Sequence, residues 1–354
     1  MTIHESLAVW VNEQLAQRGI ATAALSPIVG DAGFRQYFRL ASEPALLAVY
    51  GPPEIEKHPA FVAISQHWRE NGVPAPRIVA WDFERGFLLI EDFGPVSLSR
   101  VLGLLSDGDA STRLPSAPVA QVYQRVLAQL KRLQQLEPTA DYPYYDARAL
   151  QAELDLFIPW FVEKLLGYVL SGRENDLLTA LFKQLIEQAL AQPQVIVHRD
   201  FHCRNIHVCD APASHEVFGF IDFQDAVVGP VTYDVVSLLK DCYQQWPQTF
   251  VEEQALGYRK TLPEPLQMSS EQRFLRAMDA TGLQRHLKVL GIFARLYLRD
   301  GKAQYLNDLP LVIAYVRHVL ARYDAFRPVA IWFDKALMPV IAEQPWFHSV
   351  VIQP

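Results

Sequence analysis

Asp200, Asn205 and Asp222 fall within one stretch, residues 195–225, which reads VIVHRDFHCRNIHVCDAPASHEVFGFIDFQD. An acid, an amide and a second acid at this spacing suit one kind of chemistry. A carboxylate placed at a hydroxyl accepts its proton as general base, or orients it. A neutral amide oxygen and a second carboxylate are hard donors of the sort magnesium takes. Such a set serves magnesium-dependent phosphoryl transfer, with Asp200 at the attacking hydroxyl and Asn205 and Asp222 on the metal.

The backbone must bring these groups together. Residues 195–197 read as a strand leading into the loop His198-Arg199-Asp200, with His198 and Arg199 holding the loop by hydrogen bonds. The interval from Asp200 to Asn205 is that of the kinase catalytic loop, H-R-D-x-x-x-x-N. Asn205–Val208 then reads as a strand, and Val217–Ile221 as its hairpin partner, returning Asp222 to Asn205. Asp225 either assists the metal or caps local backbone. Asp234, in Gly229-Pro-Val-Thr-Tyr-Asp234, stands where a helix begins. It either caps that helix or reaches across to fix the catalytic loop.

Residues 28–50 break like strands joined by a turn at Gly30-Asp31-Ala32-Gly33. That turn is an ordinary one or lays backbone N–H groups over nucleotide phosphates, since glycine permits close approach. Glu91 to Phe93, where a strand gives way to Gly94-Pro95, are placed to offer backbone groups to adenine. A kinase normally carries a lysine on the third strand of its small lobe. Here that strand is Ala45-Leu46-Leu47-Ala48-Val49-Tyr50, without one; Arg35, Arg39 and Lys57 are the nearby cations, and the sequence does not choose among them. Arg35 is carried with Gly30, Gly33, Glu91 and Phe93 as a nucleotide-binding residue.

The rest of the chain frames this site. Thr2 and Glu5 form a capping-box pattern, and Ile3, Leu7, Trp10, Val11 and Leu15 a helical stripe ending near Gly19. Residues 54–71 read as a helix with Ile55, Phe61, Ile64 and Trp68 on one side, and Arg77–Asp82 with Gly86–Ile90 as a hairpin. Long helical patterns follow at 118–136, 149–170 and 174–191, and again from Tyr233 onward; 106–117 reads as a surface segment. Gln284-Arg285-His286-Leu287-Lys288 reads as a solvated helix face. Arg295 and Arg299, four apart, share a face and are able to bind a carboxylate or phosphate. The expected fold is α+β and two-lobed in the manner of protein kinases: a β-rich nucleotide-binding lobe over 1–92 and a larger, mainly helical lobe over 93–354.

Composition sets the outer bounds. Half of the 354 residues are hydrophobic and a fifth charged, as in ordinary globular chains. A net charge of −7 argues against a nucleic-acid partner. Three cysteines without a CxxC pair, no apolar run of membrane length and no export core point to a cytoplasmic protein with no membrane partner, taken as a monomer.

The segments His198–Asn205, Ile221–Asp225 and Gly229–Asp234 together resemble the aminoglycoside phosphotransferase branch of the kinase superfamily. The Gly30–Leu40 hairpin, Pro52-Pro53-Glu54 after a lysine-free strand, and Leu296–Leu306 look closest to the bacterial N-acetylmuramate/N-acetylglucosamine kinases of cell-wall recycling, over residues 25–310. The resemblance implies ATP and Mg2+ as cofactors and phosphorylation of the anomeric C1 hydroxyl of an amino sugar. It implies Asp200 as base, Asn205 and Asp222 as metal ligands, and Arg299 as partner of the lactyl carboxylate, with Arg295 and Asp225 beside the sugar. The competing readings are a kinase of aminoglycosides, choline or another alcohol, and a nucleotide-binding pseudokinase.

Overall fold

The computed structural model describes residues 2–28, 34–105, 116–209 and 217–353. Its packing divides the chain into two compact units. The first comprises Met1–Val101, Thr139–Asp141 and Arg204–Ala226, and the second Leu102–Pro138, Tyr142–Cys203 and Val227–Pro354.

The first unit is built on an antiparallel sheet. Its strands are β1 (Leu25–Ile28), β2 (Gln36–Leu40), β3 (Leu46–Tyr50), β4 (Ile78–Asp82) and β5 (Phe87–Glu91), in the order β1-β2-β3-β5-β4. Helix α1 (Ile3–Ala16) starts at the expected capping box, with Thr2 and Glu5 exchanging bonds at 3.2 and 2.7 Å. Its buried residues Leu7, Trp10, Val11 and Leu15 pack on Phe38, Leu40, Leu46, Ala48 and Leu89, the alternating inward positions of the strands. Ile3, expected in that stripe, is 52% exposed. Helix α2 (His58–Glu70) buries Phe61, Ile64 and Trp68, whereas Ile55 lies in the turn before it and faces solvent. The helix begins later than 54 because residues 52–56 form a turn, the Ile55 and Glu56 N–H groups donating to the Pro52 carbonyl at 3.0 and 2.9 Å.

The second unit is mainly helical. After α3 (Leu98–Leu105), the elements are α4 (Ala117–Gln134), α5 (Ala147–Leu154) and α6 (Gly172–Leu190), then strand β6 (Gln194–Val197). Residues 149–170 were expected as one helix. It breaks instead into α5 and a π-helical run, Phe157–Leu165, which contains Pro159 and so loses a regular bond. The hairpin β7 (Ile206–Cys209) and β8 (Val217–Phe220) belongs to the first unit. Strand β9 (Val227–Pro230), not anticipated, pairs with β6 from Gln194↔Pro230 to Val197↔Val227. Helices α7 (Tyr233–Leu239), α8 (Gln248–Thr261), α9 (Glu271–Asp300) and α10 (Leu309–Arg322) follow.

Helix α9 is the axis of this unit. Gly291 lets the Leu156 backbone approach so closely that a Cβ there would meet its carbonyl carbon at 2.5 Å. Gln284, Arg285, His286, Leu287 and Lys288 are all buried, so the solvated face expected over them is not found. A small sheet-bearing unit and a larger helical one bear out the expected fold class. Among the described residues no helix is long and apolar enough to cross a membrane.

Candidate active site

The acid-bearing loop leaves β6 at Val197 and is gripped from α7. The N–H groups of His198 and Arg199 donate to Oδ2 and Oδ1 of Asp234 at 2.7 and 3.1 Å. Asp234 sits in the first turn of α7 behind the N-cap position Thr232, so it fixes the loop rather than capping the helix. Burial pushes its carboxyl up to about 7, against the downward pull of the two N–H bonds and of Arg285. The His198 ring packs edge-on against Phe201, 5.7 Å between centroids. The far end of the loop is held by Asp241, whose Oδ2 faces the Cys203 N–H at 3.5 Å.

Arg199 adopts a left-handed φ of 75°, a conformation that a side chain keeps only where its surroundings impose it. Arg285 Nη1 donates to the Arg199 carbonyl at 2.9 Å, and the Arg199 guanidinium pairs with Glu153. Glu153 also pairs with Lys288 Nζ at 2.9 Å and accepts from Tyr145 Oη and from Gln284 Nε2 at 3.1 Å. Burial works to raise the Glu153 pKa, but Lys288 and Arg199 prevail and hold it at about 2.

Asp200 lies at the open end of this cluster, its side chain 42% exposed and its Oδ1 3.9 Å from Arg285 Nη1. Desolvation favours its neutral form, yet Lys288, Arg285, His202 and Arg199 outweigh it and hold the carboxyl well below the usual range. The second unit thus presents an ionised carboxylate on a braced loop. Glu153, Arg285 and Lys288, which brace it, were not singled out from the sequence. Their only signal was charge on amphipathic helical stretches.

The hairpin of the first unit carries the second set. The Ile221 N–H donates to the Asn205 carbonyl at 3.1 Å, closing the end of the β7–β8 ladder. Asp222 follows with a left-handed φ of 63°. Asn205 Nδ2 reaches Asp222 Oδ2 at 3.3 Å, and Gln224 Nε2 donates to Oδ1 at 2.9 Å. The hairpin therefore brings Asn205 and Asp222 together, as the spacing predicts. Among the described residues no group of three or more His, Cys, Asp or Glu forms a metal cluster. One carboxylate and one amide oxygen still fit magnesium, which completes its shell with water and phosphate oxygens. Asp200 and this pair belong to different units, joined by the chain from 201 to 204.

The remaining expected residues are placed as follows. Arg35 Nε lies 2.8 Å from Glu56 Oε2, and its Nη1 donates to Gln224 Oε1 at 3.0 Å. Glu91 closes β5 with its carboxylate bound to Arg69 Nη1 and the Arg77 N–H, both at 2.9 Å. The Phe93 ring lies so close to Gly219 of β8 that a Cβ there would meet it at 2.3 Å. Gly30 and Gly33 lie outside the described residues. Asp225 pairs with Lys57 Nζ at 2.7 Å. On the last turns of α9, Arg299 binds both oxygens of Asp300 at 2.7 and 2.8 Å. Arg295 has its Nε buried without a hydrogen-bond partner, and burial, then the neighbouring Arg299, lowers its pKa.

A braced acid loop, an acid–amide hairpin and a small antiparallel sheet together define the class: a phosphotransferase of kinase-like fold. Residues 24–270 match the model of the phosphotransferase enzyme family, and the chain belongs to it. An N-acetylmuramate/N-acetylglucosamine kinase of Pseudomonas putida is 37% identical over 328 residues, covering 90% of this chain and 92% of the relative. The Pseudomonas aeruginosa kinase of the same name is 36% identical, over 90% and 92%. Among solved structures, a choline kinase from Streptococcus pneumoniae superposes with a TM-score of 0.60 at 10% identity, covering 88% and 99% of the two chains. The ternary complex of streptomycin, ATP and APH(2")-IIa gives 0.55 at 14%, covering 92% and 99%. At these identities the two structures speak for the fold alone.

Proposed function

We propose that the protein phosphorylates the anomeric C1 hydroxyl of N-acetylmuramate and N-acetylglucosamine with ATP and Mg2+, giving sugar 1-phosphates in cell-wall sugar recycling. The observation that carries this reading is likeness along nearly the whole chain to two relatives named for those sugars. Strand β3 carries no lysine, and the family match runs across it.

In this reading ATP is the phosphoryl donor, and Asn205 and Asp222 would hold a magnesium that would neutralise phosphate charge. Asp200 accepts a hydrogen bond from the C1 hydroxyl and takes its proton as the sugar oxygen bonds to the γ-phosphorus and the bond from that phosphorus to the departing ADP breaks. A carboxylate held so far below neutrality is a weak base, so it works chiefly by orienting the hydroxyl and receives the proton late. An anomeric hydroxyl suits such a base, since the ring oxygen makes it more acidic than an ordinary alcohol. Arg199, Asp234 and His198 position the loop. Gly30, Gly33, Glu91 and Phe93 attend the nucleotide, within a nucleotide lobe taken as 1–92 and a substrate lobe as 93–354. Arg299 and Arg295 receive the lactyl carboxylate once Asp300 releases the former, and Asp225 stands by the sugar. The protein acts as a cytoplasmic monomer.

A panel of amino sugars, aminoglycosides and choline, each incubated with ATP and Mg2+ and followed by phosphorus NMR, tests the proposal. New phosphate on the two amino sugars is expected. Phosphate on an aminoglycoside or choline instead, or on no acceptor, overturns it.

A further inference from the structure

The small lobe of a kinase uses a cation on its third strand, paired with a helix glutamate, to hold the nucleotide phosphates. Strand β3 of this chain supplies none, and three nearby cations compete for the role. Arg39 is committed to Asp92, donating from Nε and from Nη2. Lys57 makes a surface pair with Asp225, the two side chains 62% and 39% exposed. Only the Arg35 side chain is sunk into the unit, at 5% exposure.

The setting of Arg35 is that of a built cation site. It stands immediately before β2, beside the end of β3, where Gln36 pairs with Tyr50. Glu56 supplies one counter-charge, and the guanidinium lies over the Phe61 ring, 4.9 Å from its centroid. Phe61 is in turn stacked on Phe223, one residue from Asp222, at 4.7 Å. Nη2 is buried and makes no hydrogen bond, while the Tyr37 phenol sits beside the guanidinium, its ionisation opposed first by burial and eased by Arg35. A buried guanidinium that leaves a donor unused carries a desolvation cost that an anion would relieve.

Gln224 fixes where that cation stands. Its Oε1 accepts from Arg35 Nη1 at 3.0 Å and its Nε2 donates to Asp222 Oδ1 at 2.9 Å. The guanidinium is therefore one side-chain amide away from the carboxylate assigned to magnesium, with all the groups in the first unit. A nucleotide phosphate on a metal held by Asp222 would lie within the guanidinium's field. Arginine suits the task, because its forked donors keep Glu56 on one edge and leave others for a phosphate, which a lysine ammonium does as a point charge only.

We infer that Arg35, braced by Glu56 and linked through Gln224 to Asp222, replaces the small-lobe lysine and binds the phosphates of the nucleotide. This rests on the proposed reading that the chain uses a nucleotide triphosphate. The sequence names Arg35 without choosing it over Arg39 and Lys57, because the cation stands just before the neighbouring strand and its partner Glu56 in the turn before α2.

The test compares binding of ATP and of adenosine, with magnesium, by calorimetry in wild type, Arg35→Met and Arg35→Lys. Adenosine carries no phosphate, so its affinity reports the fold and the base pocket. A lost charged hydrogen bond costs roughly tenfold or more in affinity. Arg35→Met is expected to weaken ATP by about that factor with adenosine unchanged, and Arg35→Lys to fall between. An unchanged ratio of the two affinities, or equal losses in a folded variant, overturns the inference. Should circular dichroism show Arg35→Met unfolded, the ratio in Arg35→Lys decides, a wild-type ratio overturning it. Failure of wild type to bind ATP would sink the underlying reading instead.

Discussion

Asp200 is ionised well below neutral pH because Lys288, Arg285, His202 and Arg199 together outweigh the desolvation of its carboxyl, and that bounds what it is able to do. Replacing it with Asn keeps the shape and a hydrogen-bond acceptor but removes the charge and the proton sink. Asp200→Asn is expected to cut turnover by about 10²- to 10⁴-fold while ATP affinity stays near wild type. Steady-state kinetics beside calorimetric ATP binding checks this, and wild-type turnover would remove Asp200 from its role. The same low pKa means that an acid limb of kcat/KM between about pH 5 and 8 does not belong to Asp200. The juxtaposition of Asn205 and Asp222 and the loop position of Asp200 were legible from the sequence because their spacing is local, within one loop and one hairpin. Glu153, Arg285 and Lys288 were not, since tertiary packing brings them to the loop from 46 to 89 residues away.

At the scale of elements, one carboxylate ties α5, the acid loop and α9 together. Glu153 has its folded pKa depressed to about 2 from an ordinary 4.5. Its stabilisation is therefore present above about pH 4.5 and is lost as pH falls towards about 2. Glu153→Gln leaves Arg199 and Lys288 buried without their shared counter-charge. The variant is expected to lose about 3–5 kcal/mol at neutral pH and to show a flatter fall in stability below pH 5. Urea unfolding across pH measures both; a variant as stable as wild type at pH 7 would contradict the bracing role. Helix periodicity predicts most of these elements but misjudges which face is wet. In Gln284–Lys288 it reads charge as exposure, yet here the charges pay for their burial by pairing with Glu153 and backbone carbonyls. Strand β9 was missed for a related reason: Val227–Pro230 is short, and only its pairing with β6 makes it a strand.

For the whole molecule, an acidic chain still gathers cations into local clusters. Net charge of −7 coexists with Arg199, Arg285 and Lys288 around one carboxylate and Arg35 near another. Local field rather than total charge governs what such sites attract. The fold class was legible because a strand-rich stretch precedes a helix-rich one. The grouping of Arg204–Ala226 with the first unit was not, because it depends on contacts such as Phe220 N–H to the Pro74 carbonyl. Which hydroxyl of the sugar takes the phosphate is read from one chemical property. Phosphorylation at C1 removes the reducing end of the sugar, whereas phosphorylation at any other hydroxyl leaves it. The most direct test is to measure reducing ends and ADP together while purified protein turns over N-acetylglucosamine and N-acetylmuramate. The account predicts one reducing end lost for each ADP formed. ADP formed with every reducing end intact would contradict it.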